Sequence, residues 1–266
     1  MDGPAAASPS NSTIARLRNL LRGWRERFGL DLRSLALFRI LLGLLLLVDL
    51  AARLTDLRVF YSDAGVLPRV DLLGRVATSS TPWLVSLHML SGLWGVQLLL
   101  FAVAACCAFC LLIGHRTRLF TFLSWVLLVS LHARNLTILN AGDLLFRVLL
   151  FWSLFLPLGA RCSVDAAMRE PSDKGPEKGK DRTWSVPAFC FMAQVTILYW
   201  VTGLLKNHPV WTGDRTAVWY ALQLDYMALP LAVLMRELPA AWLELMTRTT
   251  LHVEFLVPVL IWIPFL

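Results

Sequence analysis

Long apolar stretches dominate the chain, and the first runs from about Ser34 to Leu54 (SLALFRILLGLLLLVDLAARL). A second, Leu93–Gly114, carries no charged residue, and both suit a hydrocarbon core about 30 Å thick. Leu119–Leu131 is uncharged but short, so it must draw on its flanks to cross. Leu144–Leu158 follows with Arg147 inside it, and Trp184–Leu205 stays uncharged until Lys206. A last run begins near Thr250, contains Glu254 and is still apolar at Leu266. A helix over Thr250–Leu266 reaches only about 25 Å and no basic or polar flank follows it, so the domain is expected to be incomplete at its C-terminus. Between Asn207 and Arg248 the pattern is mixed: Trp, Tyr, Pro230, Pro239 and scattered charges predict interfacial or re-entrant helices, with an extra pair of crossings left open.

The pattern predicts an all-α, polytopic integral membrane helical bundle of about six spans over residues 34–266. Ahead of it, residues 1–13 read as a disordered tail. Ile14, Leu17, Leu21, Trp24 and Phe28 then recur at helical spacing between arginines, giving a basic amphipathic helix within a 1–33 cytoplasmic tail.

Composition agrees: 57% of residues are hydrophobic and 16% charged, against about 45–50% and 25% in soluble domains. The net charge of +7 is spread over several short loops rather than one aromatic-studded surface, which argues against a nucleic-acid partner and leaves the lipid bilayer. The cysteines form no secreted disulfide framework, because Cys106, Cys107 and Cys110 lie inside an apolar run and Cys162 and Cys190 flank a loop. Cys107-x-x-Cys110 reads either as packing or as a weak redox or metal signal, and no metal site is assigned. No cleavable signal peptide is visible, so the first span is read as a signal anchor. Lys and Arg gather in the tail, in the 114–118 link and in the 160–183 loop, which predicts a multi-pass cell-membrane protein with a cytoplasmic N-terminus.

On that topology most of the intramembrane charges fall at the outer side. Asp49 and Arg53 end the first span one turn apart, and Asp143 and Arg147 share a helix face at the outer end of the fourth. Lys206 ends the fifth, and His252 and Glu254 begin the sixth from the same side. Their convergence predicts an outward-facing polar cavity, since charges within spans are functional by default. Asp49 with Arg53, and Asp143 with Arg147, equally suit structural ion pairs or snorkelling. Lys206 shares its helix face with Tyr199, Thr202 and Gly203, a half-apolar setting in which a lysine serves either as a general base or as a snorkelling anchor. A transporter is disfavoured, because its site would lie near the midplane.

Several stretches together resemble one family. LALFRILLGLLLLVD with FYSDAGVLPR, RNLTILNAGDLLFRVLLFW, PLGARCSVDA and LHVEFLVPVLIWIPF are similar to the HTTM (horizontally transferred transmembrane) domain, the group that includes the vitamin K-dependent gamma-carboxylases. The resemblance covers roughly residues 34–266. It implies a membrane domain open to the outer side, a vitamin K-like quinol as cofactor, and Lys206, following Gly203-Leu204-Leu205, as the base. It points to a bacterial source, as do the compact loops. The chain departs from the carboxylases at Asn140-Ala141-Gly142-Asp143, which replaces their Asn-Asn-His-Ser and removes a histidine; the nearest remaining one is His132. The large lumenal domain that engages protein substrates is also absent from this sequence, so true protein glutamate carboxylation is not expected.

The reading is therefore an HTTM-type membrane protein whose cavity binds a lipophilic, quinol-like small molecule, with carboxylase-like or oxidase-like chemistry. Lys206 would be the base, Asp143, Arg147, His252 and Glu254 its charged surroundings, and Tyr199 and Thr202 hydroxyls that orient the bound molecule. The alternative is a non-enzymatic binding, immunity or assembly factor acting through the aromatic segment Trp211–Tyr226.

Overall fold

The computed structural model describes residues 29–78, 86–169, 182–183, 185–224 and 230–263. The amphipathic helix expected over 14–28 lies outside them. The chain divides into two compact units, Met1–Ala188 and Phe189–Leu266.

In the first unit, β1 (Leu30–Asp31) pairs antiparallel with β2 (Arg182–Thr183), Leu30 opposite Thr183 and Asp31 opposite Arg182. Asp31 then caps α1 (Leu32–Leu54), accepting the Arg33 amide at 2.6 Å and the Ser34 amide at 3.2 Å. After the short α2 (Leu57–Tyr61) and α3 (Arg69–Thr78), a 3-10 turn at Leu87–Met89 leads into α4 (Trp94–Ile113). Gly114 ends α4 at φ 73°, with its amide on Leu111 O and the His115 amide on Cys110 O, each at 3.0 Å. This Schellman arrangement needs a left-handed residue, and glycine adopts that conformation without a Cβ penalty.

α5 (Thr117–Arg134) overruns the apolar stretch Leu119–Leu131 at both ends, as that short run requires. α6 (Ala141–Ser153) is shorter than the stretch Leu144–Leu158 that predicted it, because Pro157 cannot continue a helix. Its 13 residues reach about 20 Å. α7 (Val164–Ala167) closes the loop. Leu42 and Leu46 of α1, Ala108 and Leu111 of α4, Leu128 of α5 and Leu150 of α6 form one core cluster. A Cβ on Gly43 would stand 2.8 Å from Leu112 Cβ, so the glycine lets α1 and α4 approach closely.

The second unit holds most of α8 (Val186–Leu205), the short α9 (Pro209–Thr212), α10 (Ala217–Leu222) and α11 (Pro230–Arg236), and α12 (Ala240–Ile261). α8 and α12 run antiparallel: Trp262 Nε1 donates to Thr196 Oγ1 at 2.8 Å near one end, and Gly203 faces Phe255 at the other. The short helices fill the stretch expected to be interfacial. α12 starts at Ala240 rather than near Thr250, because Glu244 accepts from Arg215 at 2.9 Å and from Arg248 at 2.7 Å and the helix tolerates the paired charges.

The described chain is predominantly helical, and α1, α4 and α8 are long and apolar enough to cross a membrane. α5 carries Arg118, His132 and Arg134, α6 is short, and α12 carries Glu244, Arg248 and Glu254, so those three do not meet the same measure. Leu37, Leu41, Leu44 and Val48 of α1, Leu99 of α4, and Val201 and Leu204 of α8 are exposed. Exposed apolar faces of this kind, in each unit, suit lipid rather than water.

Candidate functional site

The charges expected in one cavity fall into two groups, one in each unit. In the first, Arg53 is the hub. Its Nε donates to both oxygens of Asp49 at 2.9 Å, Nη2 to Asp143 Oδ1 at 2.5 Å and Nη1 to the Tyr61 hydroxyl at 3.2 Å. Asn140 and Asp143 form a capping box at the start of α6: the Asn140 amide donates to Asp143 Oδ2 at 2.9 Å, and the Asp143 amide to Asn140 Oδ1 at 3.2 Å. Asp143 thus spends its oxygens on Arg53 and Asn140. The expected Asp143 and Arg147 pair is not formed among the described residues, and Arg147 Nε is buried without a partner. Burial pushes the Tyr61 hydroxyl above its ordinary pKa, with Arg53 opposing.

His132, to which the sequence reading gave no role, arrives from α5 with Nε2 3.6 Å from Asp143 Oδ1. Its side chain is fully buried, and neither ring nitrogen has a hydrogen-bond partner among the described residues. A histidine therefore stands beside the Asn140–Asp143 motif although the motif lacks one. The signal was weak, a polar residue near the end of an apolar run. Within the cluster Asp143 is 5% exposed.

In the second unit, Lys206 Nζ donates to Glu254 Oε1 and stands 4.7 Å from the centroid of the Trp211 indole. Glu254 Oε2 is buried with no partner among the described residues. Of the side chains expected around Lys206, Glu254 is the one its Nζ bonds among the described residues. His252 is exposed and turned to Arg248 O at 2.7 Å, and the Thr202 hydroxyl is spent on Tyr199 O at 2.9 Å. Tyr199 is half-buried on α8.

Most other polar residues of the distinctive stretches are braces. Arg134 is fully buried and donates to Leu67 O at 2.9 Å and Ser62 O at 3.4 Å, while Asn135 Nδ2 donates to Phe60 O at 3.1 Å. Together they hold FYSDAGVLPR against RNLTILN. Asn135 is thereby buried, with its side-chain amide committed to the fold. Asp63 receives the Arg69 amide at 3.0 Å and the Arg69 Nε; a slight burial acts upward, but Arg69 and then Arg134 hold its carboxyl below the usual range. Arg39, 1% exposed, donates to Cys162 O at 2.6 Å and Leu158 O at 3.4 Å, fixing PLGARCSVDA to α1. Asp165 supplies the cap that α5 lacks locally. It accepts the Arg116 amide at 2.7 Å, the Thr117 amide at 2.8 Å and the Thr117 hydroxyl at 2.7 Å. Burial acts upward on that carboxyl, and these donors hold it below its ordinary pKa.

Among the described residues no group of three or more His, Cys, Asp or Glu is placed to hold a metal ion. Compared with known proteins, the chain matches no family model, no curated protein and no solved structure.

Proposed function

We propose that the chain is an HTTM-type integral membrane protein of about six spans with a cytoplasmic N-terminus, and that Lys206 with Glu254 receives the polar head of a lipophilic, quinol-like molecule. The observation that carries this reading is the Lys206–Glu254 pair: two helices deliver opposite charges to the end of the apolar α8, beside an indole face, with one carboxylate oxygen unpaired among the described residues. That oxygen can accept a hydroxyl, and the indole can flank a flat ring. Transfer of the Nζ proton to Glu254 within the pair leaves a neutral amine, which then takes the proton of the bound hydroxyl. A bound quinol would supply, on oxidation by dioxygen, the strong base of carboxylase-like or oxidase-like chemistry. The residues of the chain bind it, orient it and move the proton.

The test is quinol-dependent oxygen consumption by the full chain in membranes, wild type against Lys206→Ala. Activity lost in the variant supports the reading. No activity in either, with the protein folded and several quinols tried, overturns it.

One observation favours the non-enzymatic alternative, a binding, immunity or assembly factor. Trp219, Tyr220 and Leu224 are exposed, and Tyr220 and Leu224 join His208 and Trp211 in lining a groove of about 550 Å³. On that reading Lys206→Ala leaves function intact, whereas Trp219→Ala with Tyr220→Ala abolishes it.

A further inference from the structure

A cavity of about 690 Å³ opens in the first unit where α5 begins and α6 ends. That volume is ordinary for a small-molecule site. Arg116, Arg118 and Arg169 line it, all three exposed, and none has a hydrogen bond or ion pair from its side chain to a described residue. The carboxylate in its wall, Asp165, is committed to the Arg116 and Thr117 amides and the Thr117 hydroxyl. The neutral donors are committed too: the Thr121 hydroxyl bonds Thr117 O at 2.7 Å and the Ser153 hydroxyl bonds Leu149 O at 2.7 Å. What the cavity offers a ligand is three guanidiniums against one satisfied carboxylate, beside an apolar wall that includes Leu119, Leu156 and Pro157.

We infer that this cavity seats the phosphate of an anionic phospholipid, with its glycerol and upper acyl carbons on the apolar wall. Guanidiniums fork onto phosphate oxygens. A freely soluble anion would gain nothing from the leucine and proline, whereas an amphiphile uses both halves of the site. The position fits as well: the cavity begins just past Gly114, at the end of α4, a helix long and apolar enough to cross, and the end of such a span lies at headgroup depth, where basic pockets recognise acidic lipids. This assignment stands whether or not Lys206 is a base.

The test uses the full chain in detergent, with thermal unfolding followed as short-chain lipids are titrated in. Dioctanoyl phosphatidylglycerol should stabilise the protein saturably, and dioctanoyl phosphatidylcholine should not. Arg118→Gln with Arg169→Gln, both exposed and with no side-chain pairing to a described residue, should weaken the phosphatidylglycerol effect about thirtyfold, taking the usual contribution of a basic side chain at an anionic surface for each. Equal stabilisation by both lipids, or an unchanged response in the double variant with wild-type unfolding in the absence of lipid, overturns the assignment. If inorganic phosphate alone reproduces the shift at the same concentrations, the site takes free phosphate and the lipid assignment also falls.

Discussion

Arg53 Nη2 lies 2.5 Å from Asp143 Oδ1, tying the end of α1 to the first turn of α6 across 90 positions of sequence. With Asp49 on its Nε, one guanidinium bridges two carboxylates, and its side chain is only 13% exposed. Buried pairs of this kind add little net stability against an apolar replacement, but breaking one leaves a charge stranded.

Arg53→Met should therefore be among the most destabilising single changes, costing about 3–5 kcal/mol. Adding Asp49→Asn and Asp143→Asn should recover part of the loss, because the stranded charges are removed with it. Thermal unfolding in detergent measures both, and a triple variant no more stable than the single one would refute the charge argument.

Lys206 and Glu254 should behave as a coupled unit. Lys206→Met and Glu254→Gln, alone and combined, should deviate from additivity by about 1 kcal/mol or more, as contacting charged groups do. An additive cycle would mean that the pair contributes nothing and that its geometry serves only the ligand.

Stability should fall with pH through His88. Burial, reinforced by the Arg134 charge, pushes this imidazole down from 6.5 to about 4, and Nδ1 sits 2.8 Å from Ser130 Oγ. The unfolded chain takes up the proton near 6.5 and the folded chain only near 4, so the stabilisation is whole above about pH 6.5 and drains away as the pH drops toward 4. His88→Gln should flatten that part of the unfolding curve. An identical acid dependence in the variant would assign it to other groups.

Gly114→Ala should cost about 1–2 kcal/mol for the left-handed backbone alone, and more because the new Cβ meets the guanidinium of Arg39 and the Ser163 side chain. Gly95→Ala is the control. It lies inside α4 with open space around the added methyl, and should be neutral or slightly stabilising. Equal losses at the two glycines would point to a general intolerance of α4 rather than to the φ of 73° at Gly114.

The helices that were legible in the sequence are those whose apolar runs are uninterrupted. α1, α4 and α8 lie within a residue or two of expectation because nothing inside them competes with the pattern. The start of α12 was hidden, since Glu244 and Arg248 read as an interruption until Arg215, on a different segment, is seen to share the carboxylate. Local pairing was legible too, Asp49 with Arg53 at one turn. The same rule failed at Asp143 and Arg147, because spacing shows which residues share a face and not which partner a carboxylate chooses. Asp143 chose a guanidinium from another helix. His132, Arg39 and Arg134 went unassigned for a related reason: their partners are mostly backbone carbonyls, or a carboxylate one helix away, and neither leaves a mark on composition or periodicity.

The two-residue ladder between β1 and β2 restricts how the chain can be threaded. Hydrogen-bonded strands lie on one side of a bilayer, so Asp31 and Arg182 share a side. An even number of crossings must separate them. With α1 and α4 as two of these, α5 and α6 either both traverse the membrane or neither does, and α2, α3 and α7 are too short to alter the parity. A topology map that finds a tag in the α5 to α6 link on the side opposite Asp31 would mean that both traverse, one on the same side that neither does, and a tag after α6 on the side opposite Asp31 would break the even count that the ladder imposes.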